Sequence, residues 1–279
     1  MSIPTFHQVQ ECTAPVWQNK NYQAEIRWAG VFGPVARNRA HEKCDVDILI
    51  VLKEQERSGE PILVDLPEKL ADACGCEISL MYICEGPNWT RGHFCLEALL
   101  SSRTVYGNRT DVEYLHQKAM DYLNDGLRRL NLIAEAVKKI KNQVTTVKTY
   151  EDFVHPAQQA VRKECVQELR KVVDLLDIHP LHHPLCTMLV LSSFQCAGQI
   201  RGILLYRDPL ADITAGATPV WWTIWNHLQP TSDAMCAFDS GCAVGGRKFI
   251  RHMLASKRLA DRFEEGGHVD DSMYSEIIE

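Results

Sequence analysis

The chain has 279 residues, 46% of them hydrophobic and 24% charged, with a formal net charge of -6. These values fit a soluble globular protein of one large or two ordinary domains and leave no dense Lys/Arg block. They argue against duplex nucleic acid as a partner, which calls for a basic stripe, and suit a cationic small molecule better.

The N-terminus, Met-Ser-Ile-Pro-Thr-Phe-His, has no basic region followed by an apolar core, so no signal peptide is expected. No apolar run approaches the ~20 residues that span a bilayer. Eleven cysteines, an odd number without a C-x-x-C pair, are expected to be buried reduced thiols of a cytoplasmic protein.

In chain order, Glu25 to Phe32 reads as a strand ending in a turn at Gly33-Pro34. Asp45 to Leu52 has the β-branched content of a buried strand. Leu66 to Ala73 predicts a short helix with Pro67 at its start, and Glu77 to Cys84 a third strand. His93 to Leu100 reads as a helix, and Thr104 to Tyr106 closes the unit.

Beyond Asp111 the pattern changes. Val112 to Lys141 carries apolar residues at helical spacing over about eight turns. Further helices are expected over Pro156–Leu176, Leu185–Leu205, Pro219–Leu228 and Arg247–Phe263. Asp233 to Gly246 reads as a Gly-rich loop, and His179, His182 and His183 as turn residues rather than metal ligands. Trp221 and Trp225, with Trp222, are expected in a bundle core. The expected fold class is α+β: residues 1–110 as an α/β domain with a mixed sheet, 111–263 as a helical bundle, and 264–279 as a loose acidic tail.

The chemistry is concentrated between Gly30 and Leu52. A strand ends, the chain turns through Gly33, and the backbone N–H groups of a following short helix can face a phosphate. Arg37, on the first turn, is a candidate phosphate contact. Asp-x-Asp then opens the next strand, and the two-residue period puts Asp45 and Asp47 on one face. Two crowded carboxylates are costly unless a cation neutralises them, which Mg²⁺ with a nucleoside triphosphate does.

This Gly-turn followed by Asp-x-Asp resembles the signature of the nucleotidyltransferase superfamily, whose fold is that of DNA polymerase β, and the chain is most similar to the aminoglycoside nucleotidyltransferases. Glu77-Ile-Ser-Leu and Trp89-Thr-Arg-Gly-His-Phe94 extend the resemblance. It implies Glu77 as a third metal-binding carboxylate and a two-metal Mg²⁺ site. It also implies Glu168, counted from Phe153-Val-His155, as general base, with Glu164 one turn earlier as the fallback and Lys171 or Arg170 as a nucleotide contact. Pro34 stands where that family has a Ser that contacts the triphosphate, and offers neither hydroxyl nor N–H.

The implied activity is transfer of a nucleoside monophosphate, AMP from ATP, onto a small-molecule hydroxyl. A homodimer is one implied arrangement, since that family forms its sites between subunits. Two alternatives stand beside it. One is a diverged scaffold repurposed in natural-product biosynthesis, including tRNA-dependent amide or cyclodipeptide formation. The other is a non-catalytic or toxin–antitoxin-type module.

Overall fold

The computed structural model describes residues 3–53, 63–83, 93–176, 219–239 and 246–278. They form an α+β protein, mostly helical, with one small mixed sheet of four strands in the order β3-β2-β1-β4. The strands are β1 (Ile26–Phe32), β2 (Val46–Leu52), β3 (Ile78–Ile83) and β4 (Arg103–Tyr106). Strand β1 pairs antiparallel with β2 and β4, while β2 and β3 run parallel. A parallel pair needs a crossover, and helix α4 (Leu66–Cys74) lies on that connection. The expected strand and helix at 66–83 therefore form, each within a residue or two of its predicted bounds.

The chain divides by contacts into two compact units: residues 1–121 with 251–279, and residues 122–250. In the first, helix α1 (Phe6–Trp17) opens on a reciprocal cap. Thr5 Oγ1 accepts from Gln8 N, and Gln8 Oε1 accepts from Thr5 N at 3.0 Å. Its buried residues Phe6, Val9 and Trp17 join Ala29 and Val31 of β1, Val46, Ile48 and Ile50 of β2, and Leu66 and Leu70 of α4 in one core. Each buried Val, Leu, Ile or Phe among them contributes about 1.5–3 kcal/mol by leaving water. The period of two puts these strand positions on one face. Helix α4 stops where Gly75 takes the left-handed conformation, φ +64.

The other face of the sheet carries Trp28, Gly30 and Phe32 of β1 beside Val51, Leu49 and Asp47 of β2. Gly30 has no room for a side chain, because the Trp28 indole lies over it. Helix α2 (Lys20–Glu25) leads into β1, and the single turn α3 (Gly33–Ala36) follows it. Helix α5 (His93–Ser101) packs on β1 and α3.

Helix α6 (Glu113–Thr145) runs across the division between the units. The second unit continues with α7 (Tyr150–Val154), α8 (Gln159–Leu176), α9 (Pro219–Leu228) and α10 (Asp233–Asp239). Its core is aromatic: the Phe153 ring lies 5.0 Å from Trp225 and 6.0 Å from Trp221. Trp221 and Trp225 are buried, whereas Trp222 is half exposed and meets Tyr150 edge-on. Asp233–Asp239, read from its glycine-rich surroundings as loop, is a helix; four of its seven residues are buried.

Helix α11 (Gly246–Glu264) belongs from Arg251 onward with the first unit, as does α12 (Asp271–Ile278). Residues 264–279, expected as a loose tail, thus contain a helix. Asp270 Oδ1 starts it by accepting from Ser272 N at 2.9 Å and Met273 N at 3.3 Å. The Tyr274 hydroxyl donates to the Arg37 carbonyl at 2.9 Å.

The expected helix at 185–205, the three histidines at 179, 182 and 183, and Trp89–Gly92 lie outside the described residues. So do Cys84, Cys186, Cys196 and Cys242. The other seven cysteines are free thiols, of which Cys165 is buried, Cys236 exposed and the rest intermediate. Burial was expected of them all, and among the described cysteines only Cys165 is fully buried. No helix among the described residues is long and apolar enough to cross a membrane.

Candidate active site

Asp45 directly precedes β2, Asp47 is its second residue, and both are partly buried. The parallel register pairs Asp47 with Ser79 and Val46 with Ile78, so Asp45 and Glu77 are neighbours across the ladder. The Val46 N–H donates to the Glu77 carbonyl at 2.9 Å, and Ser79 Oγ donates to Asp45 Oδ2 at 2.7 Å. On the antiparallel side Asp47 pairs with Phe32, which brings Gly33 against it.

Gly33 has φ +71, and a Cβ there would lie 2.5 Å from Asp47 Oδ2. The turn after β1 is therefore open to glycine on two counts: conformation, and the carboxylate filling the side-chain space. Pro34 follows as the second residue of α3, in the first turn, where its fixed φ suits a helix start. Its carbonyl accepts from Arg39 N at 2.8 Å.

Burial and the neighbouring Asp45 push the Asp47 carboxyl up to about 6, against the pull of Arg37. Such a pair gains from a divalent cation, and two aspartates supply the hard oxygen ligands that Mg²⁺ prefers. The residues present fit that ion on this ground. Among the described residues no three His, Cys, Asp or Glu side chains gather closely enough to hold a metal. Glu77 stands beside Asp45 in sequence register, with its side chain exposed.

Arg37 is held from behind. Its Nη2 donates to Glu97 Oε1 of α5 at 2.8 Å, and His252 Nε2 of α11 lies 3.6 Å from the same oxygen. Contacts with His252 and Arg37 outweigh burial and hold the Glu97 carboxyl down at about 2. Arg37 Nε is buried without a hydrogen-bond partner. Glu97, His252 and Ser79 were not legible as site residues. Glu97 and His252 meet across a long stretch of sequence, and only the Ser in Glu77-Ile-Ser79 stood close enough to the motif to be found by strand alternation.

Glu168 and Lys171 lie in the second unit, on α8. Glu168 is buried, and Lys171 Nζ donates to its Oε1 at 2.5 Å, with Lys139 Nζ at 3.9 Å. The two residues given separate jobs by the resemblance thus engage each other, as the i, i+3 spacing allows. Glu164 accepts from Gln143 Nε2 at 2.7 Å. Arg162, also buried, donates through Nη1 to the carbonyls of Phe153 at 2.6 Å and His155 at 2.9 Å. That fixes the Phe-Val-His segment to α8.

Clefts of about 550 Å³ beside Arg27 and Lys53, and about 500 Å³ beside Arg103, are lined by neither aspartate. No protein-family description matches the chain, and no curated protein sequence does.

Proposed function

We propose that the protein is a metal-dependent nucleotidyltransferase that moves a nucleoside monophosphate, AMP from ATP, onto a small-molecule hydroxyl. The observation that carries the reading is the Asp45–Asp47 pair at the head of β2, with Asp47 seated against a glycine that has no room for a side chain. Asp45 and Asp47 would hold Mg²⁺, and Glu77 is the neighbouring carboxylate available to complete the set. When bound, the ion supplies positive charge at the transferring phosphate and lowers the pKa of the attacking hydroxyl.

Arg37, pinned by Glu97, would face the triphosphate; its charge already acts on Asp47. A guanidinium whose orientation is fixed by a carboxylate loses little freedom on meeting a phosphate. Glu168 is proposed as the general base and Lys171 as its regulator. Lys171 donates to that carboxylate, and its departure toward a phosphate would free the oxygen for a hydroxyl proton.

Pro34 favours a second reading, in which the same scaffold serves another reaction. A hydroxyl and an N–H are missing from the turn that would face a triphosphate. Isothermal titration of the full chain with ATP, with and without Mg²⁺, separates the two. Metal-dependent binding that Asp45→Asn abolishes supports nucleotidyl transfer. Absence of triphosphate binding, with the fold intact by circular dichroism, overturns it and favours the repurposed scaffold.

A further inference from the structure

Two cysteines of the first unit, far apart in sequence, come together. Cys12 of α1 and Cys74, the last residue of α4, bring their sulfurs to 2.8 Å across 62 positions of sequence. Both are partly exposed, and Cys76 follows two residues on. Two unbonded sulfurs pack at about twice the sulfur van der Waals radius, well beyond this separation, while a disulfide needs about 2.05 Å. The two sulfurs need only close that gap, and α1 and α4 already lie against each other.

We infer that Cys12 and Cys74 form a dithiol that oxidises reversibly to a disulfide, stapling α1 to α4. The Cys12 thiol donates to the Val9 carbonyl at 3.4 Å, and in the sulfur–sulfur contact either thiol can be the donor. Burial pushes the Cys74 thiol strongly upward, which makes it a weak nucleophile and leaves the first attack to Cys12.

With a peroxide as oxidant the atoms balance. The Cys12 sulfur attacks one peroxide oxygen; an S–O bond forms, the O–O bond breaks, and water leaves after proton transfer. The Cys74 sulfur then attacks the resulting sulfenic sulfur; the S–S bond forms, the S–O bond breaks, and a second water leaves. Two thiols lose two electrons and two protons, and the peroxide takes both. A small-molecule dithiol reverses the change by exchange. The bridge closes a loop that contains β1 and β2, so it restrains the unfolded chain more than the folded one.

The test uses the full chain treated with graded hydrogen peroxide, then alkylated and mapped by peptide mass spectrometry, with the exposed Cys236 as internal reference. The expected result is a Cys12–Cys74 linked peptide at peroxide levels that leave Cys236 mostly alkylatable. It should vanish on adding dithiothreitol and in Cys12→Ser and Cys74→Ser, and persist in Cys76→Ser. The wild-type melting midpoint should rise on oxidation by about 5 °C or more and return on reduction. The inference is overturned if both thiols stay alkylatable after Cys236 has reacted, or if either pairs with Cys76 instead. An unchanged midpoint in a fully linked sample overturns the staple. The wild-type map and melts decide the matter even where a serine variant folds poorly.

Discussion

The Asp47 carboxylate occupies the space that a side chain at position 33 would need: a Cβ on Gly33 would stand 2.5 Å from Asp47 Oδ2. Backbone turn and acidic side chain are thereby fitted to each other, across the β1–β2 ladder that pairs Phe32 with Asp47.

Gly33→Ala is expected to destabilise the protein by about 1–3 kcal/mol, from a left-handed alanine together with displacement of the carboxylate. Gly75→Ala is the control. Its φ is +64, yet an added Cβ meets nothing within 4 Å, so only the conformational cost remains, about 1–2 kcal/mol. Denaturant unfolding of both variants checks the difference. Equal losses would mean that Asp47 does not press on position 33.

Arg103 is sandwiched between two rings, 3.7 Å from the Phe6 centroid and 4.4 Å from that of Phe263, and donates to the Ala36 carbonyl at 3.2 Å. It ties α1, α11 and the turn after α3 to the edge strand β4. Arg103→Ala is expected to cost about 2–4 kcal/mol in urea unfolding, combining two cation–π contacts with the lost hydrogen bonds. Arg103→Lys should recover less than half, because an ammonium cannot lie flat between two rings. Full rescue by lysine would show that charge alone matters there.

His116 is buried, with both ring nitrogens unpartnered, and burial together with Arg109 and Lys257 pushes it down to about 3. The unfolded chain therefore takes up this proton first, near 6.5. Neutral His116 contributes fully above that pH, and stability falls by about 1.4 kcal/mol per pH unit as pH drops from 6.5 toward 3. Asp47, raised to about 6, acts with opposite sign: the folded state gains its proton first, so stability rises as pH falls from about 6 to its ordinary value of 3.8. Glu97, lowered to about 2, loses its contribution only below its ordinary 4.5. Subtracting the pH profile of His116→Leu from that of wild type cancels the two carboxylates. The remaining difference, wild type minus variant, should fall by about 2–3 kcal/mol as pH drops from 6.5 to 4.5. A flat difference would mean that His116 gains a proton in the folded state.

Strands β1 to β3 were legible because an apolar, β-branched run bounded by turns has few other ways to bury itself. Alternation alone put Asp45 and Asp47 on one face. Helix α1 was missed although Thr5 and Gln8 spell its cap, because its apolar stripe of Phe6, Val9, Thr13 and Trp17 includes a threonine and Pro15 interrupts it. What holds Arg37 was illegible for a different reason. Glu97 and His252 are 155 positions apart, and no local pattern announces a contact made by packing α11 beside α5. The Glu168–Lys171 pair lies between these cases: the i, i+3 spacing was readable, and the burial of Glu168 was not.

The metal is the heart of the proposed chemistry, and manganese tests it directly. Mn²⁺ added to the full chain, with a non-hydrolysable ATP analogue present, can be followed by loss of the free-ion paramagnetic resonance signal. Wild type is expected to sequester the ion, and Asp45→Asn and Asp47→Asn each to bind it at least about tenfold more weakly, a difference of about 1.4 kcal/mol. Equal binding by wild type and both variants, or no binding by wild type at any nucleotide concentration, would contradict a metal site at Asp45 and Asp47.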